Sequence, residues 1–216
     1  MKKLTIIFFS ALFALSTSVF ANPISGGVIG VKVGKGDLDG NAKSYTAGST
    51  TYAAQTGSKN AEYGAIFAEL NIMDGPISVG LEYVPFDADI SLDGAQSNVS
   101  ANVGDYTTAY IMAMHDLEAF SVYVKAGMST ADIGAISHEP NAQSTVNSQS
   151  DSLDGTMLGI GLQSQELPMG LVGRLEYTQT EFDDISVTTT SNGSTSVKKT
   201  ADGDLTTLTI SIAKQF

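Results

Sequence analysis

Apolar and polar residues alternate with a period of two in eight segments of the chain, and that alternation predicts eight strands. They run near Gly27–Gly34, Glu62–Ile72, Ile77–Pro85, Asp105–Met114, Ala119–Ser129, Thr156–Ser164, Gly170–Phe182 and Leu205–Phe216. Most are roughly 8–12 residues long, close to the ~9–11 that a tilted strand needs to cross a bilayer. The connections alternate in length. Met73–Pro76, His115–Glu118 and Gln165–Met169 are short, whereas residues 35–61, 86–104, 130–155 and 183–204 form long polar stretches. Strict alternation of this kind is what an up-and-down arrangement with an even strand number and both termini on one side imposes. A soluble β-sandwich also holds about eight strands, but nothing in its topology forces that rhythm.

Charge placement adds a second constraint. Taking the apolar phase of each strand as its outer face, Ile29, Val31 and Val33 turn Lys32 inward, and Ile66, Ala68, Leu70 and Ile72 do the same for Glu69. By the same count Glu82, Lys125, Arg174 and Glu176 point inward. A Lys or Arg on the lipid side at mid-bilayer costs roughly 2–4 kcal/mol, so a membrane barrel has to hide these groups in its lumen. An eight-stranded barrel is only wide enough for side chains to fill it. Three basic and three acidic groups in that space are therefore expected to pair as a lumen ion network, because an unpaired buried ion is costly. A soluble sheet with a wet face would show the same phase. What favours a lumen is that charges are rare on the spans and common in the connections.

The ends of the chain point the same way. Lys2 and Lys3, the apolar stretch Leu4–Leu15 and the small-residue region ending Val19-Phe20-Ala21 have the layout of a cleaved export signal over residues 1–21, leaving residues 22–216 as one barrel domain. The apolar run is too short for a transmembrane helix, which takes ~20 residues. At the other end the last strand closes on an aromatic residue, Phe216. The full chain carries 11 basic and 23 acidic residues. Loss of Lys2 and Lys3 leaves a net charge of about −14, which argues against nucleic acid as a partner, since phosphate binding needs a basic surface. Cysteine is absent, which removes disulfide and thiol chemistry.

The segment Leu171-Val172-Gly173-Arg174-Leu175-Glu176-Tyr177, continuing to Phe182-Asp183, resembles the late upward strand of small outer-membrane β-barrels of the OmpA/opacity type. The terminal Phe216 and the eight-strand rhythm match that family as well, and the resemblance covers essentially the whole mature chain. Lys214 departs from it, because an apolar residue is usual there; near the membrane edge its amine can snorkel to water. An internal echo, Leu81-Glu82-Tyr83 with Phe86-Asp87 against Leu175-Glu176-Tyr177 with Phe182-Asp183, lies four strands apart. The resemblance implies an all-β, eight-stranded antiparallel transmembrane β-barrel with four long extracellular loops and three short periplasmic turns. It implies Phe216 as a C-terminal insertion signal read by the barrel-assembly machinery, with periplasmic chaperones, outer-membrane lipids and lipopolysaccharide as further partners. It implies service in envelope integrity, adhesion or surface recognition, with a ligand at the loops and a monomeric barrel.

Catalysis and metal binding fit the residues less well. Barrels that act on lipid use His with Ser and a carboxylate. His115 falls at the wrong end of its strand for that, and His138 falls in a polar loop with no recognisable triad. Asp37-Leu38-Asp39-Gly40-Asn41 shares part of a calcium loop's spacing, but no segment supplies the full ligand series with its closing bidentate carboxylate. The expectation is therefore a non-enzymatic barrel without cofactor or metal, closed by its lumen charges. A narrow porin-like channel for small solutes is the competing reading.

Overall fold

In a computed structural model of the chain the described residues are 24–47, 49–72, 75–85, 88–94, 97–134, 137–139, 144–149, 152–191 and 195–216. The expected export signal, 1–21, lies outside them, as do Met73 and Asp74 of the first short turn. The strands are β1 (Ile24–Ala42), β2 (Tyr45–Ala47), β3 (Thr50–Tyr52), β4 (Gln55–Ile72), β5 (Ile77–Val84), β6 (Ala88–Gly94), β7 (Ser97–Asp116), β8 (Phe120–Ile133), β9 (Ser137–Glu139), β10 (Ser144–Gln149), β11 (Ser152–Ser164), β12 (Leu171–Ser191) and β13 (Thr195–Gln215). Among the described residues eight of them, β1, β4, β5, β7, β8, β11, β12 and β13, form a closed antiparallel ring in which each pairs with the next and β13 returns to β1. Each of the eight covers one of the segments that alternation picks out, to within one residue at an end: Pro85, Ala119, Gly170 and Phe216 fall just outside.

The ring is sealed near its lower rim, where the N–H of Gly27 donates to the carbonyl of Phe216 (2.9 Å) and the N–H of Phe216 returns the bond to Gly27 (3.0 Å). Short turns join strands at this end. In one, the Leu117 N–H donates to the Phe120 carbonyl (2.9 Å); in another, Met169 (φ 69°) and Gly170 (φ 73°) both take the left-handed conformation to reverse the chain before β12.

The outward phase is apolar and open to the surroundings. Ile29, Val31, Val33, Ile111, Val124, Leu158, Ile160, Leu208, Ile210 and Ile212 are each more than half exposed. On β8 the outward apolar positions run from Phe120 to Met128. At ~3.3 Å per residue and ~40° tilt this spans about 20 Å along the barrel axis, comparable to the ~25 Å apolar band of outer-membrane barrels. So broad an apolar girdle has no place in water, where contiguous exposed patches stay small.

Above the girdle the structure departs from the sequence reading. The segments expected to be loops are largely strand: β1 and β4 stay paired up to Ala42 opposite Gln55, and β12 and β13 up to Ser191 opposite Thr195. The residues there are Thr, Ser, Val, Gly and Asp in no clear alternation, so no periodicity announces them. Pairing nonetheless continues, because the register fixed by the girdle sets each further rung opposite its partner, and the backbone groups need those bonds. β5 stops at Val84, so the ring is uneven in height. A bulge between Gly104 and Thr107 puts Asp105 at φ 52°, where its carboxylate accepts the Tyr83 hydroxyl (2.8 Å).

Candidate functional site

The lumen is filled in layers. At the lower rim, the inward residues Val28, Phe67, Val172 and Ala213 form an apolar floor, with Val172 fully buried. The six charges that alternation turns inward, Lys32, Glu69, Glu82, Lys125, Arg174 and Glu176, are all nearly buried, none more than 7% exposed. They come from β1, β4, β5, β8 and β12, and the structure brings them together in two groups.

In the first group two ammonium groups and two carboxylates alternate. Lys32 Nζ donates to Glu82 Oε2 and Glu176 Oε1 at 2.6 Å each, and Lys125 Nζ donates to the same two oxygens at 3.2 and 3.1 Å. The remaining oxygens are also taken: Tyr63 donates its hydroxyl to Glu82 Oε1 (2.6 Å) and Tyr123 donates to Glu176 Oε2 (3.0 Å). Lys125 Nζ also lies 4.0 Å from the centre of the Tyr110 ring, within cation–π range. In the second group Arg174 grips Glu69 bidentately, both N···O distances being 2.7 Å, while its Nε donates to Gln163 Oε1 and Tyr110 donates to Glu69 Oε1, again at 2.7 Å. The network is electrically neutral, and every carboxylate oxygen in it has a donor. This is the condition under which buried charge is tolerated.

Four members of this network are not charged, and alternation of charge alone does not find them: Tyr63, Tyr110, Tyr123 and Gln163. The signal is present, since Tyr63 shares the phase of Phe67 and Glu69, and Tyr123 that of Lys125. On β7 the sequence is ambiguous, because Tyr110, Ile111, Met112, Ala113 and Met114 are apolar in both phases. The structure turns Tyr110 and Met112 inward and leaves Ile111 in the girdle. Room for the rings comes from inward glycines. A Cβ on Gly161 would stand 2.2 Å from the Tyr123 ring, and one on Gly80 would stand 2.4 Å from Tyr110. Above the charges the lumen is lined by hydroxyls: Thr108 with Ser129 (2.8 Å), Tyr106 with Thr180 (3.2 Å) and Thr178 with Thr207 (2.6 Å). Thr209, 2% exposed, has no hydrogen-bond partner for its hydroxyl among the described residues.

Other singled-out residues stand apart from this interior. Phe216 is 74% exposed at the lower rim, and Lys214 faces outward beside it. His115 is exposed at the lower end of β7, and the side chain of His138 lies outside the described residues. Asp37–Asn41 is part of β1 and not a loop; successive side chains alternate between faces, so the segment cannot wrap an ion. Among the described residues no three His, Cys, Asp or Glu side chains are placed to hold a metal. At the upper end Lys43 pairs with Asp184 (2.5 Å) and Asp202 (3.5 Å), and its hydrogen bond to Asp184 raises the amine above its ordinary pKa.

No family model and no curated protein matches the chain. Among solved structures, the outer-membrane protease OmpT of Escherichia coli overlaps it with a TM-score of 0.57 at 10% identity, the match covering 93% of this chain and 100% of that one. The fold is that of an outer-membrane β-barrel. Neisserial surface protein A overlaps with a TM-score of 0.48 at 12% identity (87% and 97% covered), and the N-terminal β-barrel domain of Pseudomonas aeruginosa OprF with 0.36 at 10% (83% and 96%). The OmpA/opacity resemblance implies this barrel fold, and the exposed apolar girdle around a buried ionic interior is what such a barrel presents to lipid and to its own lumen.

Proposed function

We propose that the protein is a non-catalytic barrel of the Gram-negative outer membrane, shut by its lumen network, whose tall upper strands serve surface recognition, adhesion or envelope structure. The observation that carries this is the saturation of the six lumen charges by one another and by three tyrosines and a glutamine, above an apolar floor. Ions cross a pore by exchanging hydration for wall groups, and here the wall groups are already bound to each other. The likeness to a protease is one of fold at 10% identity. His115 sits at the lower rim beside Asp116, whose carboxylate is engaged by the Ser121 hydroxyl (2.6 Å).

In this reading residues 1–21 are removed on export, both termini lie on the periplasmic side, and the strands above the girdle stand outside the cell. Phe216, exposed at the rim, is the residue offered to the assembly machinery, with periplasmic chaperones holding the chain before insertion. The girdle meets outer-membrane lipid and lipopolysaccharide, and the barrel works as a monomer. Single-channel recording on the folded protein in planar bilayers tests the closed lumen: the expected trace is silent, and large steady openings would establish the porin-like alternative instead.

A further inference from the structure

Lys214 stands on the outward phase of β13, between the apolar residues Ile29 of β1 and Leu171 of β12. An ammonium is costly in contact with hydrocarbon, so the stem has to carry it to the nearest polar surface. It reaches the turn that precedes β12. A Cβ added to Gly170 would stand 2.9 Å from Lys214 Nζ and 3.7 Å from Glu166 Oε1, so the amine lies across a glycine and the two charges are within about 7 Å of each other, the most that those distances allow. They do not join. Both side chains are exposed, and neither makes an ion pair or a hydrogen bond among the described residues.

The turn itself suits an interface better than water. Leu167 is 50% exposed and Met169 77%, yet the backbone around them is tied: the Leu167 N–H donates to the Leu171 carbonyl (2.7 Å) and the Gly170 N–H to the Leu167 carbonyl (3.2 Å). Apolar residues on so short a turn continue the girdle past Leu171, to the depth at which lipid headgroups begin. The rest of this rim is acidic. Its negative groups are Asp116, Glu118, Glu166 and the C-terminal carboxylate of Phe216, and Lys214 is its only Lys or Arg among the described residues. The Ser121 hydroxyl engages Asp116, and Gln165 donates to the backbone carbonyl of Glu118, which ties the two neighbouring turns together.

We infer that Lys214 and the turn from Glu166 to Gly170 form a site for the headgroup of a phospholipid that carries both a phosphate and a primary ammonium. The phosphate meets Lys214, the ammonium two carbons away meets Glu166, and Leu167 and Met169 flank the glycerol end of the lipid. A purely anionic headgroup satisfies Lys214 but also faces Glu166 and the acidic rim. A trimethylated ammonium has no N–H to donate to the Glu166 carboxylate. The inference rests on the barrel's standing in a bilayer and is independent of whether the lumen is closed.

The test places the folded full chain in nanodiscs holding equal parts of phosphatidylethanolamine, phosphatidylglycerol and phosphatidylcholine, releases it into mild detergent, and counts the retained lipids by native mass spectrometry. Phosphatidylethanolamine should be retained about threefold or more over each of the others, the preference that an exposed ion pair supports. Glu166→Gln should bring phosphatidylethanolamine down to the level of phosphatidylcholine and raise phosphatidylglycerol, whereas Lys214→Gln should lower retention of both phosphatidylethanolamine and phosphatidylglycerol. The heat-modifiable band reports that each variant is folded, and Glu166→Gln, in a turn outside the ring, tests the site independently of any effect of Lys214→Gln on assembly. Equal retention of the three lipids, or a preference that survives Glu166→Gln, overturns the proposal. Preference of the native barrel for phosphatidylglycerol overturns it in favour of simple anion capture by Lys214. A chain that does not enter nanodiscs overturns it together with the membrane setting, while entry with equal retention overturns the site alone.

Discussion

Glu82→Gln removes one negative charge from the centre of the lumen and leaves its shape. In the native barrel Glu82 Oε2 is shared by Lys32 (2.6 Å) and Lys125 (3.2 Å), and Oε1 takes the Tyr63 hydroxyl (2.6 Å), with the residue 5% exposed. After the change two ammonium groups face a single carboxylate, Glu176, and the layer carries a net positive charge on buried groups, where screening is weak. Breaking a buried pair by removing one partner typically costs about 3–5 kcal/mol, and the amide oxygen of Gln keeps one weaker acceptor, so a loss of about 3 kcal/mol is expected. Urea unfolding in lipid vesicles, followed by the heat-modifiable band shift and by tyrosine fluorescence, measures it. The partner experiment is Lys125→Met in the same background. It restores neutrality, so the double variant should be more stable than the sum of the single losses predicts, by about 1–3 kcal/mol of coupling. If Glu82→Gln costs no more than Glu118→Gln in an exposed turn, or if the two losses simply add, the lumen is hydrated and the pairing is incidental.

Further outcomes follow from neighbouring parts of the barrel. Gly161→Ala forces a Cβ into the Tyr123 ring and should cost about 1–3 kcal/mol, relieved in part by Tyr123→Leu, as read by unfolding midpoints. Ile210→Arg on the girdle should lower stability by about 2–4 kcal/mol and slow insertion into vesicles. On the opposite face Thr209→Val should be neutral or stabilising because its hydroxyl is unpartnered, whereas Thr178→Val breaks a 2.6 Å bond to Thr207 and should cost about 1 kcal/mol. Thr209→Arg should fail too, since the position is buried among lumen side chains. At the upper end the Lys43 amine is raised above 10.5 by its bond to Asp184. A raised folded value means that the contact contributes fully below about pH 10.5 and fades as pH climbs through the folded pKa. The Lys43 Nζ shift in NMR should titrate late in the native protein and earlier in Asp184→Asn, where Asp202 alone still faces the amine.

The girdle and its inner charges were legible because lipid and lumen make opposite demands on neighbouring residues. Ile29, Val31 and Val33 around Lys32 leave one arrangement that hides the ammonium. The tyrosines were less legible, since a Tyr suits either face: Tyr123 turns in to Glu176, while Tyr177 stays out in the girdle at 47% exposure. Which acid meets which base was not readable at all. That Arg174 takes Glu69 and not its near neighbour Glu176 depends on the stagger of eight strands around a ring, which no single strand encodes. The upper strands escaped for another reason. Periodicity reports a difference between two environments, and on the Gln55–Glu62 stretch residues of both phases, such as Gln55 and Thr56, are exposed.

Lys32 and Glu176 are bonded at 2.6 Å across 144 positions of the chain, and that separation has a consequence for how the molecule is made. A partly built cylinder holding β1, β4, β5, β7 and β8 contains Lys32, Glu69, Glu82 and Lys125 but neither Arg174 nor Glu176, so Glu69 lacks its guanidinium, Lys32 lacks one of its two carboxylates, and the open side faces whatever surrounds it. Hydrocarbon rejects such an intermediate. Closing of the ring therefore completes the pairing, with β12 bringing Arg174 to Glu69 and Glu176 to Lys32.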